Sequence, residues 1–335
     1  MITTNPLSMA TIIIGPVIVS AIGALFGLLY LGLDRKIVAH MQGRVGPPIV
    51  QPFRDVEKLL MKESIIPDDA ISWLFKFAPI LCLMGSAVLL LYIPMFGQKA
   101  LLDGFGDLIV LLYLLTIPAL AFVVGGFASS SPYATVGAQR EMVIMMSYEF
   151  PLAMAIVTIA WRISYVASTN PFMLSTIATY PIWSLVGPIG VIGTLILLFV
   201  LLLVAPGELS RVPFDLAEAE TELAGGLLVE YSGRNLALFY MANAIKAFAM
   251  ASLIIALFFP YNLSPLIGIE AFAPAFAVDA LFFLLKVFLA MFVCVMVVRA
   301  AMARFKIDQV SKIYLSGVTL ASLVGLILIW VDLIV

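Results

Sequence analysis

Residues 206–234 read PGELSRVPFDLAEAETELAGGLLVEYSGR, placing six carboxylates in a chain that is 63% hydrophobic. An ionisable group in or beside a membrane costs several kcal/mol unless it is paired, hydrated or neutralised by a proton. Such acid density between long apolar runs points to proton handling, and the rest of the chain is read around it.

A mean hydropathy of +1.15 with 11% charged residues lies outside soluble composition. Runs near the ~20 apolar residues needed to cross a bilayer fall at about 11–33, 78–96, 108–127, 142–161, 184–205, 236–260, 277–299 and 311–334. The expected fold is an all-α polytopic membrane protein of about eight transmembrane helices, one membrane domain over 1–335. The loops 34–77, 128–141, 206–235 and 299–312 hold 14 of the 18 Lys and Arg, and the opposite loops hold only Lys99 and Arg162. The positive-inside rule then puts these loops in the cytoplasm and both termini outside, in the cell membrane. The first span lacks a basic leader and is too long for a signal segment, so it reads as a retained helix.

Cys82 and Cys294 stand alone in separate spans and His40 is the only histidine, so no motif offers a metal or cluster site. No glycine-rich phosphate loop is present either. Pro118, Pro151, Pro188 and the Gly125-Gly126 pair lie in or beside spans and lead us to expect kinks or breaks. Within the 34–77 loop, Phe53, Val56, Leu59 and Leu60 recur at amphipathic helical spacing over 53–62, which suits a membrane surface or a docked partner.

If 213–224 is helical, Asp215, Glu218 and Glu222 share one face with Glu220 roughly opposite, and neighbouring carboxylates titrate as a coupled set. The competing reading is a helix N-terminus behind Pro213 whose acids simply face cytoplasm. Glu149, in MVIMMSYEFPLAMAIV, is the sharpest single intramembrane acid, its rival reading a span edge reaching headgroups. Lys246, Asp279 and Lys286 are further in-span charges expected to pair or to line hydrated space. For His40 and the 16 methionines, surface and packing roles suffice.

Four stretches, DRKIVAHMQGRVGP, QPFRDVEKLLMKES, AQREMVIMMSYEFPL and GELSRVPFDLAEAETELAGGLLVEYSG, resemble in order and spacing the heel-forming membrane subunit of respiratory complex I. The resemblance covers most of the chain. It implies a proton path through Glu149, Glu208, Asp215, Glu218, Glu220, Glu222, Glu230 and Lys246, and docking of a peripheral arm on Arg35, Lys36, Arg44, Arg54 and Asp55, with no catalytic residue in this chain. Complex I members typically carry a longer stretch where this chain has only Gly46 to Pro52, a segment that helps shape the quinone entrance. The short connection, with GFASSSPYATVGAQREM at 126–142, is more similar to the anchor of energy-converting NiFe hydrogenases and formate hydrogenlyases. That likeness implies a NiFe centre and iron-sulfur clusters in partner subunits, namely a hydrogenase-like large subunit and an iron-sulfur small subunit. It also implies antiporter-like and small membrane subunits beside this chain, lipid around it, and no nucleic acid. The alternatives are the quinone-site subunit of an NADH- or reduced-deazaflavin-fed quinone or phenazine oxidoreductase, a sulfur-reducing relative, a purely structural anchor, or a stand-alone ion-coupled transporter. The last would more often show repeated broken helices, and no repeat is seen.

The loop-charge asymmetry generates a topology test. Membrane-impermeant thiol reagents added outside are expected to label cysteines placed beside Lys99 and Arg162 but not beside Arg54 or Glu220. External labelling within 34–77 reverses the orientation.

Overall fold

The computed structural model describes residues 6–104, 108–167, 170–268 and 272–334. Among these, eight helices are long and apolar enough to cross a membrane. We number the major helices α1 (Pro6–Met41), α2 (Gln51–Met61), α3 (Ser72–Leu91), α4 (Leu108–Ala128), α5 (Pro132–Ser164), α6 (Pro188–Glu208), α7 (Gly233–Phe258), α8 (Ala273–Ala301) and α9 (Ile307–Ile334). All but α2 are spans, and no strand occurs among the described residues. Residues 1–5 and 335, which hold the termini assigned to the outside, lie beyond the described residues.

Several boundaries differ from expectation. Helix α1 continues to Met41, so Asp34, Arg35, Lys36 and His40 ride on a helix rather than in a loop. Helix α5 begins at Pro132, ten residues before the expected span, and carries Glu141 into the bundle. Pro118 and Pro151 sit inside continuous helices instead of breaking them, and Pro188 occupies the first turn of α6, where its missing N–H has no partner to lose. Irregularity appears instead as two π-helical segments, Phe292–Val297 in α8 and Ile313–Val318 in α9. The amphipathic helix is present as Gln51–Met61, with Pro52 and Val56 buried.

Helix α7 forms the axis of the bundle. Apart from its first turns it is almost wholly enclosed, packing on α1, α3 and α8, while α9 runs along α6 and α4 along α3. Phe248 stacks between Phe26 and Tyr30 of α1, and Phe239 stacks on Phe122 of α4. Gly27 permits the α1–α7 approach, because a Cβ there would lie 2.3 Å from the Ala244 carbonyl oxygen.

The acidic segment does not form the expected helix over 213–224. Only Glu220–Leu223 is helical, and the rest is a folded loop. Gly226 closes it at φ +54°, where a Cβ would meet the Ala217 carbonyl oxygen at 1.8 Å. The loop is fastened at both ends: the Leu227 N–H donates to Ala217, and the Phe305 N–H donates to Pro213. Past the end of α2, Ser64 and Ile65 hydrogen-bond Arg234 and Ser232 at the start of α7, which ties the charged first loop to the acidic one.

A methyl group at Gly27 must push α1 from α7. Gly27→Ala is expected to lower stability by about 1–3 kcal/mol in detergent thermal unfolding, whereas Gly317→Ala, whose Cβ meets nothing within 4 Å, should be close to neutral.

Candidate functional site

Helix α6 ends at Glu208, and α7 places Lys246 opposite it. The Lys246 Nζ lies 2.7 Å from Glu208 Oε1, with side-chain exposures of only 4% and 1%. Helix α5 contributes Glu141, also fully buried, whose Oε1 accepts from the Ser210 hydroxyl at 3.2 Å. Glu141 is within electrostatic reach of Lys246, Glu208 and Asp215. Tyr148, two turns further along α5, faces Glu208, and Tyr314 of α9 packs edge-on against its ring. The Tyr314 hydroxyl donates to the Leu203 carbonyl at 3.0 Å, and Gly207 leaves room for it. Four helices thus converge on one lysine and two carboxylates.

On the loop side the acids continue outward. Asp215 accepts from the Arg304 guanidinium at 2.8 Å, yet burial still holds its carboxyl above the usual range. Glu218 is pushed up to about 7, chiefly by burial and next by Asp215, while Arg211 opposes the rise. Burial in turn lowers Arg211, and the Asp34 carboxylate opposes that shift. Arg211 and Glu218 line a cleft of about 430 Å³ between α1, α2 and α7, together with Arg35, Asp55, Tyr240 and Asn243.

The proposed path residues therefore separate. Glu208, Lys246, Asp215 and Glu218 come together around Glu141. Glu149 is only half-buried, on the bundle surface between exposed Met146 and Phe150, and still within reach of Glu208. Glu220 and Glu222 face away: Glu222 pairs with Arg140 at 2.6 Å, which lowers its carboxyl, so the shared face with Asp215 and Glu218 does not exist. Glu230 is half-buried on the loop, and the neighbouring Tyr231 stacks on Phe75 at 4.0 Å in a packing role. Of the docking set, Arg35 pairs with Asp55 at 3.0 Å, and Arg44 and Arg54 are exposed.

Asp279 and Lys286 do not join the cluster. Asp279 accepts from the Leu263 and Ser264 backbone and from the Ser264 hydroxyl, and Lys286 donates to the carbonyls of Phe259 and Tyr261. No group of three potential metal ligands occurs among the described residues. Sequence reasoning missed Glu141, which lies seven residues before Tyr148 and hence on the same helical face.

This arrangement of helices is shared with known proteins. A family model described as NADH dehydrogenase matches residues 14–330. The chain belongs to that family, the one that contains the heel-forming membrane subunit of complex I. It is 35% identical over 305 residues to the H subunit of the NADH-quinone oxidoreductase of Brevibacillus brevis, covering 89% of this chain and 85% of the relative. It is 33% identical over 300 residues to hydrogenase-4 component C of Escherichia coli, covering 88% and 89%. Among solved structures, a chain of the membrane-bound sulfane sulfur reductase, an archaeal respiratory membrane complex, superposes with a TM-score of 0.80 at 26% identity, covering 93% of this chain and 97% of that one. The protein is a multi-pass membrane subunit of a complex I-like oxidoreductase.

The raised Glu218 carboxyl makes stability fall as pH rises. Below about 4.5 the group is protonated in both folded and unfolded chains, whereas between about 4.5 and 7 only the folded chain keeps the proton. The thermal midpoint of Glu218→Gln is expected to decline less than the parent's across that window. Parallel declines would show that Glu218 ionises freely in the folded protein.

Proposed function

We propose that this subunit couples electron transfer in a docked peripheral arm to ion movement in the membrane, as the anchor of a hydrogenase-type complex. The observation that carries the reading is the one-sidedness of the acid cluster. Asn243, a lining residue of the loop-side cleft, is three residues or ~4.5 Å along α7 from Lys246. Toward the other membrane face, Ala247 to Leu257 are buried and, save Ser252, apolar. A proton taken up through the cleft can pass between Glu218, Asp215, Glu141 and Glu208, because each carboxylate raises its neighbour's affinity for the proton. It meets no comparable group along α7 beyond Lys246. The half-buried Glu149, beside exposed Met146 and Phe150, then offers a sideways exit to antiporter-like and small membrane subunits.

In this reading the cleft side is cytoplasmic. Lys36, Arg44 and Arg54 receive the peripheral arm with its NiFe centre and iron-sulfur clusters, and Arg35 and Asp55 stabilise the contact surface as a pair. The short Gly46–Pro52 connection and the likeness to hydrogenase-4 component C support the hydrogenase type. The likeness to the sulfane sulfur reductase favours the sulfur-reducing relative. A second reading, quinone reduction, draws on the size of the cleft and on the likeness to a relative named for quinone.

The test is ion movement per electron in proteoliposomes of the purified complex. Glu141→Gln and Glu149→Gln are expected to assemble and transfer electrons while losing most of the coupled ion movement, since an amide keeps the shape but carries no exchangeable acid proton. Parent-like pumping by both variants at equal electron flux rejects the path. Electron transfer should also proceed without added quinone, and strict quinone dependence moves the chain to the second reading.

A further inference from the structure

The cleft of about 430 Å³ between α1, α2 and α7 holds more positive charge than this chain's own acids balance. Four cations line it, Arg35, Lys58, Lys62 and Arg211, against two acids, Asp55 and Glu218. Asp55 is taken by Arg35 at 3.0 Å. Glu218 is left to face three cations, and its carboxyl, pushed up to about 7 chiefly by burial, is only partly ionised near neutral pH. Arg211 differs from the others in having no close partner. Among the described residues its guanidinium makes no hydrogen bond and no ion pair, and Asp34, which acts on it electrostatically, pairs instead with Arg299. Five N–H donors drawn largely out of water without an acceptor are costly, and an anionic group in the cleft removes that cost.

The layout of these charges fits an extended acidic chain. Lys58 and Lys62 are exposed one turn apart on α2, whereas Arg211 is half-buried on the lining shared with Asn243 of α7. Helical geometry sets the Cβ atoms of such a lysine pair about 5–6 Å apart, close to the ~7 Å between alternate residues of an extended peptide. A single small anion fills little of the space, since a water-sized group takes about 30 Å³. A quinone is neutral and leaves the cations uncompensated. The source of the acidic chain follows from the continuity of the surface: Arg35 and Asp55, half-exposed in the cleft lining, also belong to the surface that receives the peripheral arm.

We infer that this cleft seats a carboxylate-bearing segment of the docked peripheral arm, paired with Arg211, Lys58 and Lys62. The inference rests on the reading above that a peripheral arm docks on this face. A carboxyl placed beside Glu218 can hand its proton to the Glu218 carboxylate, so a seated segment leaves the entrance open to protons.

The test is zero-length carbodiimide coupling of the purified complex, which joins an amine only to a carboxylate in contact with it, read by mass spectrometry. Lys58 or Lys62 is expected to couple to an Asp or Glu of a peripheral-arm subunit, and Lys99, on the opposite face, to couple to none. Lys58→Gln combined with Lys62→Gln, both exposed on α2, is expected to weaken rebinding of the detached arm to the membrane part about tenfold, roughly threefold per exposed charge, and to flatten its salt dependence. Arg211→Lys should weaken rebinding less than Arg211→Gln. A photoreactive reagent on Arg54→Cys reports docking of the arm by itself. If it captures the arm while both lysines couple only within this chain, or while the double variant rebinds like the parent, the inference falls and the docking reading stands. If it captures no arm subunit, the docking reading falls and the inference with it. Labelling of the cleft by a photoreactive quinone in the intact complex assigns the space to a neutral ligand and overturns the acidic segment.

Discussion

The Glu208–Lys246 pair is the constraint around which this bundle is arranged. Two opposite charges at almost complete burial are tolerable only in close contact, because losing either partner strands the other in a medium that cannot solvate it. Contact at 2.7 Å requires the end of α6 to meet the middle of α7, and α7 must then be enclosed on its other sides. The aromatic stacking of Phe248 on α1 and of Phe239 on α4 supplies that enclosure. The Gly207 backbone admits Tyr314, so α9 closes the same point from its own side.

Around this pair, charge and backbone shape depend on each other. A regular helix over 213–224 would send its acids outward at fixed angles. The folded loop instead turns Asp215 and Glu218 inward and leaves Glu220 and Glu222 outside. Ser210 and Ala224 adopt left-handed conformations, and Gly225 and Gly226 supply two more, so the chain reverses within a short span. Arg304 and Arg211 partly offset the carboxylates without removing their mutual influence. The result is a coupled set of acids gathered at the loop end of the bundle.

Much of this was legible in the primary structure. Hydropathy alone marked eight spans, since the length of an apolar run is set by the bilayer and owes nothing to neighbours. Amphipathic spacing marked α2, and the density of acids in 206–234 marked the region of the site. Intramembrane charge also singled out Lys246, because a lone buried ammonium must find a counter-charge.

Which acids would meet was decided by tertiary structure. By hydropathy Glu141 falls at the end of the 128–141 loop, but α5 begins at Pro132 and carries it inside. Glu149 reads as the deepest acid because its sequence neighbours are apolar, but apolar neighbours on a membrane helix face lipid as readily as core, and Glu149 lies at that boundary. Glu222 follows Asp215 and Glu218 at helical spacing, yet the loop is not a helix and Arg140 takes Glu222 outward. Sequence sets the cost of burying each charge by itself; the partner that offsets it comes from a distant segment, brought near only when the helices pack.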